Sequence, residues 1–311
     1  MTDDCSFDRT ARMGGGRSNG RGEHVWRTDV MVCVDAHLQY WDPTRGDYAW
    51  LTPDHGLLDR VFGPAECALL RARTGVAHTV VVQAAPTVDE TRYLLGLASF
   101  EPSIAGVVGW VSLRDRNTPA LIEELACDPK FKGVRPSLPD LVDDSWTNEP
   151  ALTQAIEALV DHDLALDALA SVHHVSAIER LSSRFPQLRI VVNHGATPPI
   201  RDGLAGWQAW ADGVARLAHL PQVHCKLSGL ANQAARGWST GTLRPYVDRL
   251  LRTFGPGRLM WGSDWPRLNL NGDYIQWHSA MKNLLDALSE SERSAVFATN
   301  AAAFYRLQKD G

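Results

Sequence analysis

From residue 29 onward, short apolar runs alternate with longer stretches whose apolar residues recur at helical spacing. The runs are VMVCVDAH (30–37), HTVVVQAA (78–85), IAGVVGWVSL (104–113), FKGVRP (131–136), LALDALA (164–170), LRIVVNHG (188–195), VHCKLSG (223–229) and RLMWGSDWP (258–266). Valine, isoleucine and leucine occupy both faces of these runs. A strand with one wet face would alternate strictly, so the runs read as strands of a parallel sheet covered on both sides. Helix signals lie between them. Thr87-Val-Asp-Glu90 is a capping box leading into Tyr93, Leu94, Leu95 and Leu97, and Ser289-Glu-Ser-Glu292 opens a second helix carrying Val296, Phe297, Ala301, Phe304 and Tyr305. Leu152 to Val160 and Val175 to Leu181 fit the same template. Eight buried strands, each followed by a helix, predict an α/β fold of the (β/α)8 TIM-barrel type, a single domain over residues 29–311. An open doubly wound sheet usually has fewer strands and often a glycine-rich phosphate loop after the first, which is absent here.

Composition narrows the function. The chain has 311 residues, 31 Lys+Arg against 36 Asp+Glu, a net charge of −5 and 44% hydrophobic residues. The mild acidity argues against nucleic acid as a partner, since gripping phosphates needs a basic surface. No apolar run approaches the roughly 20 residues of a membrane span, and the N-terminus lacks the apolar core of a secretory signal. The five scattered cysteines form no CxxC pair. They read as reduced thiols of a cytoplasmic protein, and a homo-oligomer is compatible with everything so far. Residues 1–28, rich in Gly, Arg and Ser, offer little to bury and are expected to form a disordered leader.

In such barrels the C-terminal strand ends build the active site. Here nearly every apolar run is capped by polar side chains: Asp35, His37 and Gln39 on the first, Gln83 on the second, and Arg135 on the fourth. Asn193 and His194 follow on the sixth, Lys226 and Ser228 on the seventh, Ser263 and Asp264 on the eighth. Together they predict one polar pocket. His37 and Gln39 are two apart and share a face, with Asp35 beneath them. His-x-His at this place would be a metal-ligand spacing. Glutamine in the second position weakens a zinc site and suits a hydrogen bond to a sugar or carbonyl.

Asp35-Ala-His37-x-Gln39-x-Trp41-Asp-Pro, followed by Asp47-Tyr-Ala-Trp50-Leu, resembles the opening of amidohydrolase-superfamily lactonases. That group includes 2-pyrone-4,6-dicarboxylate lactonase and the fucono- and rhamnono-lactonases. The likeness continues through Val82-Gln83-Ala84, Gly106-Val-Val-Gly-Trp110, Gly133-Val-Arg135, Val192-Asn-His194-Gly, Lys226-Leu-Ser228-Gly229 and Gly262-Ser-Asp264-Trp265-Pro266. The resemblance implies a hydrolase for lactones of sugar acids or of aromatic catabolism. It also implies a site around His37, the Gln39 position, His194 and Asp264, and either no cofactor or one weakly held zinc or manganese on His37, His194 and Asp264. Gln39, Asn193 and Pro136 depart from the group's usual histidine, aspartate and histidine.

Within that frame Asp264, between Trp261 and Trp265, is the expected general base, its pKa raised by desolvation. His37 and His194 would polarise the carbonyl or stabilise the oxyanion. Arg135 offers a fork for a carboxylate, or a barrel-layer ion pair. Gln83 and Lys226 would hold hydroxyls or the carbonyl, unless Lys226 pairs with Asp264. Trp41 and Tyr48, with Trp50 and Trp146, would wall the pocket or simply pack the first loop. Two other functions remain open on sequence: a metal-dependent decarboxylase of the same superfamily, and a degenerate barrel that only binds a small acid.

Overall fold

The computed structural model describes residues 33–52, 56–136 and 149–308. The expected leader and Trp146 lie outside them. Eight strands form one sheet: β1 (Cys33–Leu38), β2 (Val76–Val82), β3 (Ile104–Gly109), β4 (Phe131–Val134), β5 (Ala165–Ala168), β6 (Arg189–Val192), β7 (Val223–Leu227) and β8 (Leu259–Trp261). Each pairs in parallel with the next, in chain order. Six lie within the apolar runs, β1 runs one residue past its run, and β2 begins two residues before its own. The barrel is closed just past the ends of β8 and β1, where Asp264 N donates to His37 O and Gln39 N to Trp265 O, both at 2.8 Å. The seam therefore runs through residues expected to do chemistry. The β1–β2 register also slips between Asp35 and Leu38. One extra residue on that strand re-aims the side chains around His37, a common use of a bulge beside a site.

The helices between the strands are α1 (Pro64–Thr74), α2 (Val88–Phe100), α3 (Thr118–Ala126), α4 (Pro150–Asp161), α5 (Val175–Arg184), α6 (Trp207–Ala218), the short α7 (Leu230–Gln233), α8 (Thr240–Phe254) and α9 (Tyr274–Leu284), of which α2, α4 and α5 fall on the stretches singled out by their helical period. Their buried faces cover the sheet. Leu152, Ala155, Ile156 and Leu159 of α4 and Val175, Ile178 and Leu181 of α5 are fully enclosed, and each large side chain so buried contributes about 1.5–3 kcal/mol. The Ser289 capping box forms as expected, with Ser289 Oγ accepting from Glu292 N and the Glu292 carboxylate accepting from Ser289 N. That last helix is broken by a π-turn at Ala295–Thr299, yet Val296, Phe297, Ala301, Phe304 and Tyr305 still pack inward.

At Thr87 only half the box forms. Thr87 Oγ1 accepts from Glu90 N, but the buried Glu90 carboxylate turns back and accepts from Ala84 N and Ala85 N. It thus braces the turn after β2 that presents Gln83. Among the described residues, no disulfide joins Cys33, Cys67, Cys127 or Cys225, and no helix is long and apolar enough to cross a membrane.

Candidate active site

Three side chains, one on β1 and two on the turns that follow β6 and β8, converge at the mouth of the barrel. Asp264 Oδ1 lies 3.8 Å from His37 Nε2 and 3.9 Å from His194 Nε2, and the two imidazoles meet edge-on at 4.6 Å between centroids. All three are buried. His194 and Asp264 both sit in the left-handed backbone region, at φ 56° and 59°. Such conformations cost a non-glycine residue about 1–3 kcal/mol and persist where the surroundings over-determine them, as at functional sites.

Each of the three is held from behind. Asp35 Oδ1 accepts from His37 N and Ser263 N, and its Oδ2 accepts from Tyr274 OH on α9. One carboxylate thereby clamps β1 to the turn that carries Asp264. His194 Nδ1 meets Ser228 Oγ at 2.9 Å, and Asn232 donates to Asp264 Oδ2 at 3.2 Å. Two glycines make room. A Cβ on Gly262 would stand 2.7 Å from the Cβ of His37, and one on Gly229 would stand 2.5 Å from His194 Nδ1. Asn232 and Gly229 were not singled out from sequence as chemistry. The general rule that loops after barrel strands build the site covers both, but nothing marks one Asn or Gly above the others.

Burial dominates the electrostatics. The Asp264 carboxyl is pushed up to about 6 by desolvation, against the downward pull of Arg267 and Arg135. The expected direction holds, although the flanking rings turn elsewhere: Trp261 packs on Tyr274, His278 and Phe297, and Trp265 on Tyr40 and Phe62. Desolvation also holds His194 down at about 3, and with the nearby cations keeps His37 well below its usual range. Burial thus favours the neutral form of both rings.

Above the three residues opens a cavity of about 640 Å³, lined by Gln39, Arg135, His194 and Asp264 from the sequence-derived set. His37 lies directly behind this wall. Arg135 donates to the Gln83 carbonyl and has no carboxylate partner among the described residues. Gln39 Nε2 donates to the same carbonyl at 2.9 Å.

The remaining expected residues sit behind the wall. The Gln83 side chain is spent on the Arg135 carbonyl at 3.1 Å. Lys226 is fully enclosed below His37, paired with Asp167 at 2.6 Å rather than with Asp264. Trp41 is in the core, its Nε1 on Leu58 O and its ring against Trp50 and Phe62, and Tyr48 is buried away from the cavity lining. The first loop thus turns the rings of Trp41 and Tyr48 inward, where they bury apolar area. Its place at the rim is taken by Arg201, Arg236 and Arg267, so four guanidiniums face one lining carboxylate.

His37, His194 and Asp264 also form a candidate metal group, one ligand atom from each lying within 4.8 Å of the others. His37 Nε2 and Asp264 Oδ1 are buried without a hydrogen-bond partner. Two imidazole nitrogens and a carboxylate oxygen suit one divalent ion such as zinc or manganese.

Comparison with known proteins agrees with this picture. The model of the amidohydrolase family matches residues 34–307. An L-fucono-1,5-lactonase of Burkholderia ambifaria is 44% identical over 280 residues, covering 89% of this chain and 96% of the relative. A second, of Burkholderia multivorans, is 32% identical over 289 residues, covering 88% and 96%. The crystal structure of a Burkholderia multivorans amidohydrolase with bound zinc superposes with a TM-score of 0.81 at 30% identity, covering 89% of this chain and all of that one.

Proposed function

Because this chain belongs to the amidohydrolase family, we propose that it hydrolyses lactones of sugar acids, with Asp264 as the base that activates water. The observation carrying the proposal is the buried, partnerless Oδ1 of Asp264 facing two neutral imidazoles across 3.8 and 3.9 Å. The relatives named L-fucono-1,5-lactonase point to 1,5-lactones of sugar acids as the substrate class.

A carboxylate with a pKa of about 6 is ionised at neutral pH yet basic enough to take a proton from water. The water oxygen attacks the lactone carbonyl as its proton passes to Asp264 Oδ1. The oxyanion that develops is met by the Arg135 guanidinium, a donor fixed before the reaction begins, while His37 Nε2, behind the wall, faces the Asp264 carboxylate. Collapse breaks the ring C–O bond, and the ring oxygen takes the proton back from Asp264, leaving a hydroxy acid. His194, set by Ser228, orients the water. The arginines at the rim receive the new carboxylate, which the neutral lactone lacks. A divalent ion, where bound, would be held by His37, His194 and Asp264 and would supply Lewis-acid polarisation and a more acidic water.

The test is a pH-indicator screen of sugar-acid lactones, with and without chelator and with thermal shift recorded in parallel. Proton release from a 1,5-lactone is expected. Ligand-induced stabilisation without turnover would reject hydrolysis in favour of a binding protein.

A further inference from the structure

Beneath the catalytic mouth runs a second set of polar groups that the hydrolysis mechanism does not use. Tyr305 OH, near the end of the described chain, donates to Asp167 Oδ1 at 2.7 Å. The other oxygen of Asp167 accepts from Lys226 Nζ at 2.6 Å, and Lys226 Nζ lies 3.4 Å from His37 Nδ1. The ammonium also stands over the Tyr305 ring, 5.2 Å from its centroid. All four side chains are enclosed, Lys226 and Asp167 completely. A fully buried lysine–aspartate pair contributes little net stability, because desolvation of both charges offsets their attraction. A site function is the better reason for placing it under the catalytic histidine.

We infer that Tyr305 and Asp167 are positioning residues that hold the Lys226 ammonium against Nδ1 of His37, fixing that ring with its proton on Nε2. The direction of donation decides the matter. An ammonium has only protons to give. Facing one, Nδ1 must present its lone pair, and the neutral ring then carries N–H at Nε2, the atom that faces Asp264. A metal-bound histidine has the opposite pattern: its lone pair goes to the ion and its other nitrogen donates to an acceptor behind it. The lysine therefore biases His37 toward a donor that faces the Asp264 carboxylate and away from metal ligand. Gln39 in the neighbouring ligand position acts in the same sense.

The inference uses the lactonase reading only to give the Nε2–H a task. The position of the proton is a property of the free protein, so it can fail while lactone hydrolysis stands, and the reverse. Two readouts test it. Long-range ¹H–¹⁵N correlation on metal-free protein should show His37 with Nε2 protonated and Nδ1 bare. Zinc affinity, measured by competition with a chromophoric chelator, should rise about 10-fold or more in the double variant Lys226→Met/Asp167→Asn, which removes both charges together and so leaves neither buried alone. Tyr305→Phe, which frees one oxygen of Asp167, should move both readouts the same way by a smaller factor. A wild-type His37 protonated on Nδ1 would overturn the inference, as would equal zinc affinity in the wild type and the double variant.

Discussion

Gly229 gives the sharpest quantitative handle on the site. It sits at φ +64°, and a Cβ there would lie 2.5 Å from His194 Nδ1, 2.8 Å from its Cγ and 3.2 Å from Asp264 Oδ2. Gly229→Ala thus carries two separable costs. Left-handed backbone strain costs an L-residue about 1–2 kcal/mol. The clash is additional: His194 must tilt away, and losing its bond to Ser228 adds about 1 kcal/mol. Gly75 isolates the first cost, since it has φ +75° at the end of α1 and nothing within 4 Å of its Cβ position. Gly75→Ala should lower Tm by roughly 2–4 °C per kcal/mol of strain and leave kcat/KM unchanged. Gly229→Ala should lose more stability, and about 10²-fold in kcat/KM, the scale expected when a catalytic group is displaced by around 1 Å. Thermal unfolding and indicator-coupled lactone hydrolysis on both variants provide the comparison. A Gly229→Ala enzyme as active as Gly75→Ala would refute the claim that His194 must sit where Gly229 allows.

Four further outcomes are expected. Glu90→Ala removes a buried acceptor for Ala84 N and Ala85 N and should cost about 2–4 kcal/mol for two orphaned donors, read as a lower Cm in urea; an unchanged Cm would contradict the bracing role. The pH profile of kcat/KM should rise through about 6, because Asp264 is inactive as a base below its raised pKa. In Arg267→Gln, loss of a nearby cation makes that carboxylate harder to ionise, so the acidic limb should move to higher pH; a limb that stays put or falls would show that Arg267 does not act on Asp264. KM for lactones should change less than product inhibition in Arg236→Gln, if the rim receives the new carboxylate; a specific rise in KM alone would assign Arg236 to substrate instead.

The barrel was legible because burial on both faces leaves a strong trace. Eight Val/Ile/Leu runs separated by helical periods admit few other folds, and all eight became strands. The strand-end rule likewise brought His37, His194 and Asp264 to one point. What sequence could not resolve is which polar residues face the cavity and which lie one layer below. Lys226 and Arg135 are both cations at strand ends, yet one is sealed against Asp167 while the other lines the cavity. Lys226 lies within β7, whereas Arg135 follows the last residue of β4. Nor could local pattern tell that Trp41 turns into the core, since an aromatic ring serves a wall or a core equally well. Glu90 shows a third limit: Thr-x-x-Glu predicts reciprocal capping, but the turn after β2 competed for the carboxylate with two N–H groups and won.

The claim beneath all of this is that the Asp264 carboxylate accepts the proton of the attacking water. Asp264→Asn keeps the size and the hydrogen bonding of the side chain while removing its basicity, so its kcat on a sugar-acid 1,5-lactone is the most direct measurement. A fall of about 10²-fold or more, in a protein with wild-type Tm, is the predicted result. Undiminished turnover by that folded variant would contradict it and move the base elsewhere in the cavity.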